Sequence, residues 1–167
     1  MIVVDASVLA VALADDGQDG DLARARLRGE RLAAPELVDL EVTSVWRRQM
    51  RDGAMDARRA ALALADLTAL PLRRAPHRAL LARCWELRDN LTIYDASYVA
   101  LAEALEVSLL TGDGRLARAT GPQCHIEVLR RHLKRGHVRR TSVSREDDYA
   151  AEPVPRQLRK QVAGDET

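Results

Sequence analysis

Phenylalanine is absent from this 167-residue chain, and aromatic residues make up only 3% of it. A platform that stacks unpaired bases needs aromatic faces, so that way of holding single-stranded nucleic acid is excluded. Cysteine occurs twice, at Cys84 and Cys124, without CxxC spacing or a surrounding Cys/His set. A disulfide framework and a zinc site are both excluded on that count. No apolar run approaches the roughly 20 residues of a membrane span. The opening Met1-Ile2-Val3-Val4-Asp5 lacks the basic region and apolar length of a signal peptide, so the expected location is cytoplasmic. A net charge of +1 gives no global basic signature. A nucleic-acid partner would have to be met by a local patch.

Hydrophobic residues make up 47% of the chain, so a core of Leu, Val, Ala and Ile is expected. The length suits one domain with a tail. Ile2-Val3-Val4 is a short unbroken apolar run, as in a strand covered on both faces, and it stops at Asp5. Ala6 to Leu13 continues as a helix. Leu22 to Leu27 predicts a short helix closed by Gly29. Arg31 to Ala34 reads as a second strand, and Pro35 opens a helix to about Arg51. Met55 to Leu70 is helical and Pro71 to Ala75 forms a third strand. His77 to Arg88 is a helix with Leu80, Leu81, Cys84 and Leu87 on one face.

The stretch Asn90 to Glu103 reads as a loop entering a helix. Thr92 caps it and Asp95 sits in the first turn, where an acid favours the helix dipole. Tyr94, Tyr98, Leu101, Ala102 and Leu105 recur at the spacing of a buried face. Val107 to Thr111 and His125 to Leu129 supply the last two strands. Between them lie the turn Gly112-Asp113-Gly114 and a short helix from Arg115 to Ala119. Strands alternating with helices predict an α/β fold with a parallel sheet over residues 1–133. From Lys134 the character changes to a basic cluster and then charged segments without apolar periodicity. Residues 134–167 are read as a charged C-terminal tail, disordered or ordered by a partner.

In an open parallel sheet, ligand sites gather outside the carboxyl ends of the strands. Asp5 ends the first strand and Asp113 follows the fourth by one glycine, so both belong to that rim. Asp95 opens the helix leading into the fourth strand. Glu41 is placed by periodicity beside Leu37, Leu40 and Ser44 on an apolar helix stripe, where an unpaired carboxylate is costly. The plain alternatives are a helix cap for Asp95 and a turn residue for Asp113. Four converging carboxylates cannot all stay ionised without a cation between them, and oxygen-only ligands favour Mg²⁺ or Mn²⁺. Such a site can polarise a phosphodiester and activate water. Hydroxyls at Ser7, Ser97 and Thr111, each two residues from an acid, can orient carboxylates.

Asp5-Ala6-Ser7-Val8, Glu41, Tyr94-Asp95-Ala96-Ser97-Tyr98-Val99-Ala100-Leu101-Ala102 and Leu109-Leu110-Thr111-Gly112-Asp113-Gly114-Arg115-Leu116 together resemble a PIN-domain ribonuclease. More narrowly they resemble the VapC toxins of bacterial toxin–antitoxin pairs. The resemblance spans roughly residues 1–132. It implies a PIN-like fold, with a central five-stranded parallel sheet flanked by helices, and a Mg²⁺- or Mn²⁺-dependent endoribonuclease acting on structured RNA such as tRNA or rRNA. It implies that Asp5, Glu41, Asp95 and Asp113 bind the metal, with Ser7 and Thr111 supporting them. It also implies a homodimer and a cognate antitoxin that covers the site. Arg115, Leu116 and Ala117 stand where some relatives carry a further acid or amide. Arg47, Arg115 and Arg118 are candidate contacts to RNA or antitoxin. Direct attack of water on the phosphodiester is the expected mechanism, with no protein nucleophile and no histidine. One rival is a phosphatase with Asp5 as nucleophile, which would need an acid where Ser7 stands. The other is a non-catalytic RNA- or protein-binding PIN module, which would have no need of all four acids.

Overall fold

The computed structural model describes residues 1–130; the tail read from residue 134 lies outside the described residues. Strand β1 (Ile2–Val4) is buried along its length. Helix α1 (Ala6–Ala14) follows at once, capped by Asp5, and α2 (Gln18–Leu27) starts four residues earlier than its apolar periodicity suggests. Gly20 lies in that extra turn, where an added Cβ would run into the Asp15 carbonyl. Strand β2 (Leu32–Pro35) precedes α3 (Val38–Arg51). Pro35 therefore closes a strand instead of opening a helix, and the neighbouring Glu36 N–H takes up the pairing to the Ala75 carbonyl at 3.0 Å.

Helix α4 (Ala57–Ala69) is capped by Asp56, and β3 (Leu72–Ala75) follows. The single helix expected over His77 to Arg88 is instead a 3-10 turn (His77–Ala79) and a short α5 (Leu81–Glu86). Helix α6 (Ile93–Ala104) carries the expected Thr92 cap. Strand β4 (Leu109–Thr111), a 3-10 turn (Leu116–Arg118) in place of the expected helix, and β5 (Ile126–Val128) complete the described residues.

The five strands form one parallel sheet in the order β3-β2-β1-β4-β5. Strand order reverses between β1 and β4, so the crevice at their carboxyl ends is where such sheets bind ligands. Helix α6 packs across β1, β2 and β4, with α5 against it, while α1 packs on β4 and on α2, α3 and α4. Seven successive residues of α6, Ala96 to Ala102, are buried. The indole N–H of Trp46, on α3, donates to the Ala10 carbonyl at 3.1 Å and joins two helices inside the core. Paired forks tie the periphery down: Arg26 to Glu127 joins α2 to β5, and Arg74 to Asp39 joins β3 to α3. Both cysteines are free. Among the described residues, no helix is long and apolar enough to cross a membrane.

Candidate active site

Strand β1 ends by delivering Asp5 to the crevice, and local hydrogen bonding fixes it there. The Ser7 N–H donates to Asp5 Oδ1 at 3.3 Å and the Ser7 hydroxyl donates to Oδ2 at 2.8 Å. From the neighbouring strand, the fully buried Thr111 hydroxyl donates to the same Oδ2 at 2.5 Å. Thr111 Oγ1 accepts from the Asp113 N–H at 3.0 Å, and Ser7 Oγ accepts from the Gly112 N–H at 2.9 Å. A Cβ on Gly112 would stand 3.1 Å from Ser7 Oγ, so a small residue is needed at this crossing. Ser7 and Thr111 thus lock the ends of β1 and β4 around one carboxylate.

Glu41 reaches the site from α3. Its Oε2 accepts from the Tyr98 hydroxyl at 2.6 Å. Asp95 sits in the first turn of α6, where its backbone N–H donates to the Thr92 hydroxyl oxygen at 3.1 Å. That hydroxyl donates back to Asp95 Oδ2 at 2.7 Å. Asp113 lies in the turn after β4, and Arg115 takes both of its oxygens. The guanidinium Nε lies 3.1 and 3.0 Å from the two oxygens and an η nitrogen lies 2.6 Å from Oδ2.

These groups feel one another. Burial pushes the Asp5 carboxyl above the ordinary aspartate range; the Thr111 and Ser7 hydrogen bonds oppose that rise, and the charge of Asp95 adds to it. Burial, then the Glu41 carboxylate, drives the Tyr98 phenol far above its ordinary value, and Asp5 contributes as well. The Arg115 fork holds Asp113 below the ordinary range, and Arg115 also senses Asp95. Contact and charge therefore link Glu41, Tyr98, Asp5, Asp95, Arg115 and Asp113 in one chain around the rim.

The donor set fits a hard divalent cation in its chemistry, since every available group is an oxygen and two of the carboxylates repel. Among the described residues, however, no three acids stand close enough together to make a finished cage. Asp113 is turned to Arg115 and Asp95 to Thr92. Completing a cage around a cation would require those two exposed partners to yield.

Of the supporting residues expected from sequence, Ser7 and Thr111 both touch Asp5. Ser97 does not reach an acid: its hydroxyl donates to the Tyr94 carbonyl one turn back at 2.7 Å, a common use of a helical serine. Arg47, Arg115 and Arg118 are all exposed. The stripe assigned to α3 is also different. Leu40 is 72% exposed, and the buried face is Val38, Val42 and Trp46, which leaves Glu41 at its edge. Tyr94, expected in the core, is exposed, and so is Trp85, with the Arg88 guanidinium 5.0 Å from its ring centroid. Sequence reasoning missed Tyr98 as a site residue by counting it as core. A signal was present, since a buried phenol needs a hydrogen-bond partner and Tyr98 follows Asp95 by one helical turn.

The PIN domain family matches residues 2–122. The chain belongs to the PIN-domain family. A VapC ribonuclease of Mycobacterium bovis is 49% identical over 134 residues, spanning 78% of this chain and 100% of the relative. The ribonuclease VapC1 of Mycobacterium tuberculosis is 43% identical over 129 residues, spanning 77% of this chain and 97% of that protein. Among solved structures, VapC20 of Mycobacterium tuberculosis, described as a sarcin–ricin-loop-cleaving toxin, superposes with a TM-score of 0.56. It is 17% identical, covers 71% of this chain and 94% of its own, and speaks to the fold alone. As a PIN domain of the VapC type, the chain has the α/β architecture its sequence predicts.

Proposed function

We propose that this PIN domain is a divalent-cation-dependent endoribonuclease, the toxin of a toxin–antitoxin pair working in the cytoplasm. The observation that carries the reading is the half-buried Asp5 carboxylate at the switch point between β1 and β4, held there by Ser7 and Thr111 with Asp95 in electrostatic reach. A fold gains nothing in stability from desolvating a carboxylate within reach of a second charge of the same sign, so the arrangement points to use. Identity of 43–49% to VapC ribonucleases over nearly their whole length supports the same activity here.

Asp5, Glu41, Asp95 and Asp113 would hold Mg²⁺ or Mn²⁺. Bound there, the ion supplies Lewis-acid polarisation of a phosphodiester and a more acidic water. The chain's own groups do the rest. Ser7 and Thr111 fix the Asp5 oxygens, and Thr92 orients Asp95. Arg115 and Arg118, exposed beside Asp113, would meet substrate phosphates or the antitoxin. No protein side chain is needed as nucleophile, and the buried, neutral Tyr98 phenol is unsuited to that task.

A protein partner is supported by a second feature. An apolar groove of about 200 Å³ runs beside α6, lined by Leu80, Leu81, Cys84, Ile93 and Tyr94. Leu81 and Tyr94, in its lining, are each more than half exposed. A cognate antitoxin, or the second chain of a homodimer, would cover this surface.

The test is incubation of purified protein with total cellular RNA in Mg²⁺, in Mn²⁺ and in EDTA, with Asp95→Asn alongside. Discrete fragments from the wild type, in either metal only, are expected. Cleavage that persists in EDTA or in the variant would overturn the reading, as would binding without cleavage.

A further inference from the structure

We propose that Tyr98 is the positioning residue of this site, holding the Glu41 carboxylate in register with Asp5. Glu41 comes from α3 and Asp5 from the end of β1, so no shared backbone sets their separation. Tyr98, on α6, spans that gap. Its hydroxyl donates to Glu41 Oε2 at 2.6 Å, and the phenol lies near enough to the Asp5 turn to feel the Asp5 charge and the Ala6 N–H. A phenol oxygen has one proton to give. That proton goes to Glu41, and because the ring that carries it is buried on α6, Oε2 is held in place beside the Asp5 turn.

The ring itself is immobile. Tyr98 is 2% exposed and ranks among the largest fully buried side chains, inside the run of α6 that packs on the sheet. A long glutamate side chain has several rotamers, and a short hydrogen bond from a buried, neutral donor selects one of them. Outer partners of metal-binding carboxylates act in this way, orienting the ligand without touching the ion. Tyr98 is accordingly not a catalytic residue, and its contribution reaches the chemistry only through Glu41.

The inference rests on the proposed metal site, and its test separates the two. Mn²⁺ is titrated by calorimetry into the full chain, wild type, Tyr98→Phe, Glu41→Gln and the double variant. Loss of the phenol is expected to weaken Mn²⁺ binding about tenfold, the lower end for an outer-shell partner. Glu41→Gln should weaken it similarly alone but add almost nothing on the Tyr98→Phe background. Equal affinity of wild type and Tyr98→Phe, or effects that simply multiply, would overturn the role of Tyr98 and leave the metal site standing. A wild type that binds no Mn²⁺ would overturn both. Should Tyr98→Phe fail to fold, Cζ-labelled tyrosine in the otherwise unaltered chain provides the second reading. The Tyr98 signal is expected to move on adding Mg²⁺ and on Glu41→Gln, and a signal still in both cases contradicts the proposal.

Discussion

Asp5 and Glu41 are held by buried or half-buried donors, whereas Asp95 and Asp113 are held by exposed ones. On the first side, Thr111 and Tyr98 lie within the core and their hydroxyls have nowhere else to turn. On the second, the Thr92 hydroxyl and the Arg115 guanidinium stand in solvent. Hydrogen bonds to a carboxylate from fixed, dry donors are strong and directional. Exposed ion pairs are worth little and exchange readily. On the proposed reading the two sides have different duties: one would store the geometry of the site in the core, and the other would let go of its partners when a cation and a phosphate arrive.

Asp5→Asn should break the buried side most severely. Cleavage is expected to fall about 1,000-fold, equivalent to about 4 kcal/mol of transition-state stabilisation. Stability should move the other way. Because the folded Asp5 carboxyl is raised above the ordinary 3.8, the unfolded chain gives up its proton first as pH climbs. The wild type therefore loses stability from that value up to the raised folded one. Thermal melts without divalent ions should find Asp5→Asn more stable than wild type at neutral pH, and no different below the ordinary aspartate range. A variant less stable than wild type at pH 7 would contradict this.

Thr111→Val removes the donor to Asp5 and the acceptor for the Asp113 N–H at once. A loss of about 2 kcal/mol in urea unfolding is expected, as for a buried hydrogen bond to a charged group. On the open side, Thr92→Ala should reduce stability by about 1 kcal/mol, the usual contribution of a helix N-cap. A loss as large as that of Thr111→Val would erase the distinction between the two sides.

Arg115→Ala should have the smallest effect, under about 0.5 kcal/mol at neutral pH. Its sign is fixed by Asp113, whose carboxyl is lowered by the Arg115 fork. The stabilisation is present above the ordinary aspartate value and is lost as pH falls through the lower folded one. Urea unfolding at neutral pH and near pH 2 should find the small difference between wild type and variant only at neutral pH.

The same contrast governs what could be read from the sequence. Asp5 and Asp113 were legible because an acid just beyond an apolar strand run lands on the sheet's carboxyl rim whatever the details of packing. Thr92 and Asp95 were legible because capping is local. Glu41 is reached in sequence through a stripe only partly realised: Leu37 packs on the core, but Leu40 and Ser44 are exposed, and α3 turns Val38, Val42 and Trp46 inward. Periodicity offers adjacent faces of a helix, and only the packing partner chooses between them. Tyr98 was missed for a related reason. A tyrosine at helical spacing counts as core, and its polar end found Glu41 across 57 positions of sequence. His77 to Arg88 reads as one helix in sequence because apolar spacing carries across a 3-10 turn without a break. Pro35 suited a helix start in isolation, and only pairing with β3 makes it the end of a strand.

The most direct test of a site made from both sides is Mn²⁺ binding by wild type, Asp5→Asn and Asp95→Asn, measured by calorimetry without RNA. One carboxylate from either side should be indispensable, so both variants are expected to lose at least tenfold in affinity. Wild-type affinity in Asp95→Asn, with Asp5→Asn alone impaired, would show that the exposed side takes no part in holding the ion and would contradict the account.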